Sequence, residues 1–238
     1  MTNIISDTSQ RKAARVAGFL YLLLAVCSAF SMMYVESIFA PGDAEATVSK
    51  ILASQQLFRL AFVGSLVGQV FFLFLVHALY KLFKSVDKDQ ARLMVILVVA
   101  SVPVAFLNML NQFAPILLLS DAGYLSAFSP AQLHALAMVF LSMYFHGITI
   151  AKIFWGLWLF PLGLLIFKSG FIPKVIGVLL MLGCFGYLID FLVASLFPEY
   201  KVITYPGLAV ATVAEVSCVF WLLIKGVKDQ KPVTSETR

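Results

Sequence analysis

The chain has 238 residues, 61% of them hydrophobic and only 12% charged, with a mean hydropathy of +0.97 and a formal net charge of +5. A water-soluble domain of this length carries far more surface charge. A transmembrane β-barrel would read as short alternating segments, whereas this sequence repeats apolar runs of about 20 residues, each long enough to cross a bilayer as a helix. The expected fold is therefore all-α, a polytopic transmembrane helix bundle forming a single integral membrane domain over residues 1–238.

Arg11, Lys12 and Arg15 precede "VAGFLYLLLAVCSAFSMMYV", which is longer than a signal-peptide core, so an uncleaved first span is expected over about 14–35. "PGDAEATVSKILASQQ" follows. Pro41-Gly42 breaks the chain and Asp43 can cap a new helix. Val48, Ile51, Leu52 and Leu57 recur at helical spacing, which predicts a short amphipathic helix at about 43–56 lying on the membrane surface. The second span, about 58–83, contains Gly64 and Gly68, a weak close-packing motif.

A polar hairpin, "KLFKSVDKDQAR", leads to a third span over about 92–119 with Pro103 and Pro115 as kink points. After the loop "SDAGYLSAFSP", Ser129-Pro130-Ala131-Gln132 has the pattern of a capped helix start. From Pro130 to Phe167 the one charge is Lys152, and the fourth span, 130–168, is long for a single crossing. Gly147 is the natural hinge near its middle. "KSGFIPK" closes it, and two more spans follow at about 174–196 and 206–225.

Orientation sets the count. The N-terminus, the 81–92 hairpin, the 168–174 turn and the C-terminal tail hold 13 of the 17 Lys and Arg residues. Basic residues mark cytoplasmic ends, so both termini are expected there. That requires an even number of crossings, and six fits. The net charge of +5 is thus a topology signal and gives no reason to expect nucleic acid as a partner. Cys27, Cys184 and Cys218 all fall inside spans and read as small core side chains rather than a disulfide framework.

The segments "RKAARVAGFLYLL", "GDAEATVSKILAS", "LFRLAFV", "KSGFIPKVIGVLLMLGCFGYLID" and "AEVSCVFWLLIKG" together resemble the bacterial membrane family known as domain of unknown function 4386, over roughly residues 11–227. Its characteristic turn is present as Lys168-Ser169-Gly170-Phe171-Ile172-Pro173-Lys174, with Lys in place of the usual Arg. The resemblance implies a bacterial integral membrane protein of about six or seven helices, expected in the inner membrane, and implies no activity.

A rise of about 1.5 Å per residue places each polar group by its distance from a basic anchor. Lys152 counted from Lys168, Asp190 from Lys174 and Asn108 from Arg92 are each about 24 Å in. Asn111 and Gln112 lie slightly further out, and His146 lies near the outer boundary. All of these occupy the outer half of a core about 30 Å thick. Glu215, counted from Lys225, is about 15 Å in, with Gln69 at a similar level. The expectation is a polar layer in the outer half, forming a pocket open to the extracytoplasmic side. Its candidate residues are Lys152, Asp190, Glu215, Asn108, Asn111, Gln112, His146 and Gln69.

An intramembrane lysine is costly and pairs or faces water. Asp190, at the same depth, is the first candidate partner, with Glu215 second. Three readings of Lys152 stand: an ion pair pinning two helices, a side chain snorkelling outward, or a charge that binds an anion or relays protons. Glu215 has no basic partner at its depth. It is either a protonated, hydrogen-bonded core glutamate or the functional carboxylate, with Tyr21, Tyr187 and Tyr205 as candidates to line the same space.

Catalytic chemistry finds little support. A zinc hydrolase needs three histidines at one depth, and His77, His134 and His146 do not share one. No HExxH, GxSxG, P-loop or dinucleotide fingerprint is present. No cofactor or metal is expected. The residues favour a transporter-like or small-ligand or lipid-sensing protein. The alternatives are a structural or accessory subunit with a structural Lys-Asp pair, or an intramembrane enzyme. The expected partners are the lipid bilayer and a small-molecule or lipid ligand.

Overall fold

The computed structural model describes residues 2 to 227, with side chains from residue 10 onward. Eight α-helices run α1 (Thr2–Ile38), α2 (Ala44–Ala53), α3 (Gln55–Phe83), α4 (Lys88–Leu118), α5 (Pro130–Leu157), α6 (Leu159–Ser169), α7 (Lys174–Leu196) and α8 (Tyr205–Phe220). Among the described residues there is no strand. Among the described residues, six stretches are long and apolar enough to cross a membrane, with α5 and α6 together forming one of them, Pro130–Ser169. Helices satisfy every backbone hydrogen bond within the segment, which is why an apolar medium selects them.

The starts of the helices follow from local chemistry. The Asp43 side chain accepts the backbone N–H of Ala46 at 2.8 Å and caps α2. Ser129 and Gln132 form a reciprocal capping box at the start of α5. Asp87 caps α4 through the N–H of Gln90 at 3.1 Å.

The break in the long fourth span is not at Gly147. The chain stays helical through Gly147 and divides at Trp158, between Leu157 and Leu159. Pro161 is the cause: it has no N–H to donate to the carbonyl of Leu157, four residues back. Gly147 serves a different purpose. The Asn108 side chain of α4 occupies the space that a Cβ at 147 would fill.

The helices form an incomplete ring. α1 packs along α3, α3 against α4, α4 against α5, α5 against α7, and α7 against α8. Gly64 and Gly68 let α3 approach Cys27 and Ser28 of α1. The ring closes at the end that carries the basic residues, where Gly18 lies so close to α8's continuation that a Cβ there would be 2.6 Å from the Leu223 nitrogen. That continuation is a π-turn, Trp221–Lys225.

Two apolar clusters fill the bundle. The larger, at the basic end, includes Leu75, Leu79, Met94, Leu162, Leu165 and Leu222. The smaller, at the opposite end, includes Val35, Ile51, Phe58, Met109, Leu141 and Tyr144. α2 belongs to this second cluster. Thr47, Val48 and Ile51 turn into the bundle, while Leu52 and Leu57 stay exposed. The amphipathic helix therefore spends part of its apolar face on the protein, as a cover over one end of the bundle.

Candidate functional site

Glu215 stands beside the buried stripe of α8, formed by Ala211, Ala214 and Cys218. Glycines bring α7 unusually near. A Cβ on Gly186 would lie 2.5 Å from the carbonyl oxygen of Gly207. This contact sets Tyr187 facing the carboxylate, and its hydroxyl donates to Glu215 Oε1 at 3.0 Å. Tyr21, from α1, donates to Oε2 at 2.8 Å. One carboxylate thus joins three helices and keeps acceptor capacity, because a carboxylate offers about four lone-pair positions.

These groups open onto a cavity of about 260 Å³. It lies between the two apolar clusters and is bounded by α1, α3, α5, α7 and α8, with Met109 of α4 also reaching it. Its walls are aromatic: Tyr21, Phe72, Tyr144, Trp155, Trp158 and Tyr187. Trp158 meets Phe72 edge to face at a centroid distance of 5.0 Å and Tyr21 at 5.9 Å. Trp158 stands where the Pro161 break divides α5 from α6.

A polar rung lies on the α1 and α3 side. Ser31 and Ser65 share a short hydrogen bond, and Ser65 also donates to Gln112 Oε1 at 3.3 Å. Gln69 lines the cavity and is 95% buried, yet its Oε1 has no hydrogen-bond partner among the described residues. The exposed lining residues, Ala25, Ala29, Met32 and Val216, belong to α1 and α8. The mouth is therefore lateral, between the two helices that close the ring. The sequence led to a pocket open to the extracytoplasmic side; the exposed lining residues lie along α1 and α8.

Lys152 and Asp190 form a separate unit. The ammonium is 2.6 Å from Asp190 Oδ2, and the carboxylate side chain is fully buried. Asp190 Oδ1 accepts from the Thr204 hydroxyl at 2.7 Å. That hydroxyl has one proton and a second acceptor at 2.8 Å, the carbonyl of Lys201. The unit clamps α5, α7 and the 3-10 turn Pro198–Thr204 together.

Asn108, Asn111 and His146 go elsewhere. Asn108 donates to the Tyr144 carbonyl at 3.0 Å and accepts from Asn111 at 3.1 Å. Together with His146 they line a groove on the outer face of α4 and α5. His146 is exposed, and its Nδ1 lies 2.8 Å from the Ser142 carbonyl. The eight candidate residues are thus divided among three places. Glu215 and Gln69 face the cavity, with Gln112 behind Ser65. Lys152 and Asp190 form the clamp. Asn108, Asn111 and His146 line the outer groove.

Counting depth could not see this division, because it gives level along the membrane normal and not direction around each helix. The aromatic walls were missed for a related reason. Phe72, Trp155 and Trp158 look like ordinary apolar residues in ordinary spans. The available signal was the pairing of Trp155 and Trp158 at helical spacing next to Pro161. Of the three tyrosines considered, Tyr21 and Tyr187 reach Glu215, while Tyr205 is exposed.

An "Uncharacterized protein" of Archaeoglobus fulgidus is 35% identical over 97 residues, which is 40% of this chain and 56% of that relative. The similarity thus spans little more than half the length of that relative. No solved structure matches. The family described as "Domain of unknown function (DUF4386)" matches residues 16–226, from the first buried turn of α1 to the glycine that ends the last helix. With nearly every described element inside that match, the chain belongs to this family of membrane proteins.

Proposed function

We propose that this protein binds a small, membrane-dissolved molecule in the cavity between α1 and α8, either to sense it or to move it across the bilayer. The observation that carries this reading is the cavity itself: about 260 Å³, walled by aromatic rings, floored by Glu215 and entered from the lipid side. A packed bundle has few voids larger than a water molecule. Ligand sites are typically apolar concavities with a few convergent polar groups, at volumes upward of about 300 Å³, so this one lies close to the lower end. In this reading the basic end faces the cytoplasm of a cell with the protein in its inner membrane. The Lys152–Asp190 clamp holds the wall opposite the mouth and takes no part in binding.

The test is a tryptophan-fluorescence titration of the purified protein with neopentylbenzene, a neutral probe of suitable size. Trp155 and Trp158 line the cavity and report directly on it. The expected result is a saturable change that Ala29→Phe, at the exposed mouth, abolishes. A linear, unsaturable change identical in both proteins would be partitioning into detergent and would overturn the proposal.

A further inference from the structure

The chemistry of the cavity narrows the class of ligand. Of the residues that line it, none is Lys, Arg or His, while one is a carboxylate. Among the described residues no ion pair includes Glu215. Its two contacts are the hydroxyls of Tyr21 and Tyr187, and each already spends its one proton on the carboxylate. Gln69 adds a buried acceptor, Oε1, with no partner. Glu215 and Gln69 Oε1 therefore offer a ligand acceptor atoms on this side. Around them stand the π-faces and edges of six aromatic side chains, including Trp155 and Trp158.

Resting on the reading above, we infer that the cavity takes an organic monocation: a lipophilic amine in its ammonium form, or a quaternary ammonium. An aromatic enclosure attracts a cation through the ring quadrupoles, most strongly when the cation is desolvated. A carboxylate supplies the countercharge that makes entry from a low-dielectric medium tolerable. An anionic ligand would meet Glu215 with no basic group to offset it. A neutral ligand would use the volume but not the charge. Glu215 binds the cationic centre, Gln69 Oε1 accepts from an N–H where the ligand has one, and the rings of Trp155 and Tyr187 cover the remaining faces.

The experiment pairs two probes of equal shape: benzyltrimethylammonium and its neutral isostere neopentylbenzene. Each is titrated by tryptophan fluorescence into the full-length protein and into Glu215→Gln. The expected result is saturable binding of the cation that weakens by at least about tenfold in Glu215→Gln, with the neutral probe changed by less than about twofold. If both probes bind and Glu215→Gln leaves both within about twofold of the unaltered protein, the cation assignment is wrong while the cavity reading stands. If the neutral probe binds and the cation does not, the assignment is equally overturned. If neither binds the unaltered protein, both readings fall. Should Glu215→Gln lose the neutral probe as well, its cavity is disrupted, and Trp155→Leu decides. It must weaken the cation more than the neutral probe, and equal losses overturn the inference.

Discussion

The Lys152 ammonium sits 2.6 Å from the Asp190 carboxylate, and that carboxylate is completely shielded from solvent while the lysine side chain is 13% exposed. A pair held this way costs little as a pair and much when split. Removing one partner leaves an uncompensated buried charge, worth about 3–5 kcal/mol in soluble proteins. Lys152→Met and Asp190→Asn are each expected to lower thermal stability in detergent by an amount of that order. The double variant is expected to recover most of the loss. Thr204→Val, which removes the other hydrogen bond to Asp190, should cost about 1.5–3 kcal/mol. Differential scanning of the four proteins checks this, and additive single losses would show that the two charges do not depend on each other.

Gly147 and Asn108 give a second test, with a change of sign. Asn108 fills the space beside Gly147 and is fixed there by its bond to the Tyr144 carbonyl. Gly147→Ala is expected to destabilise by about 1–3 kcal/mol through overpacking. In an Asn108→Ala background the obstacle is gone, and the same change should stabilise by up to about 1 kcal/mol from helix propensity alone. Thermal midpoints of the two single variants and the double variant measure the reversal.

At the basic end, Lys168 donates to Asp87 at 2.7 Å. That bond, with the Gln90 N–H, holds the Asp87 carboxyl below the usual carboxylate range. A carboxylate whose folded value is depressed favours the folded state above its unfolded value of about 3.9, and that contribution is lost as pH falls through the folded value. Thermal stability should therefore decline on acidification below about pH 4, and Asp87→Asn should flatten that part of the curve. The effect is expected to be small, because the pair is partly exposed and screened.

The orientation assigned to the bundle makes a separate prediction. In a variant lacking Cys27, Cys184 and Cys218, a single cysteine at Ser126, in the 3-10 turn Gly123–Ala127, should react with a membrane-impermeant maleimide in intact cells. A cysteine at Ser85, between α3 and α4, should react only after the cells are opened. The opposite pattern would invert the topology.

Much of the fold was legible because the bilayer imposes simple rules. Apolar length marked the spans, and the span at 174–196 matches α7 (Lys174–Leu196). Asp43 and Ser129 were readable because a cap is a local hydrogen bond between near neighbours in sequence. The Trp158 break was legible in principle from Pro161, but Gly147 drew the hinge because it is more central. Equal depth correctly made Lys152 and Asp190 neighbours in level, and their geometry joins them. The Glu215 site was legible in part: the carboxylate, Tyr21 and Tyr187 were candidates, but their hydrogen bonds and the exclusion of Tyr205 were not. The two tyrosines lie 194 and 28 residues from Glu215 in sequence, and azimuth around each helix is set by packing, such as the Gly186–Gly207 approach, which no depth count contains.

The central claim is that the aromatic space beside Glu215 holds a molecule taken from the membrane. The most direct measurement is anomalous diffraction at the bromine edge from crystals of the protein equilibrated with bromobenzene. The account predicts a bromine peak inside the cavity, among Tyr21, Trp155 and Glu215, and its loss in Ala29→Phe. Peaks confined to the outer, lipid-facing surfaces of the helices, with the cavity unlabelled at saturating probe, would contradict it.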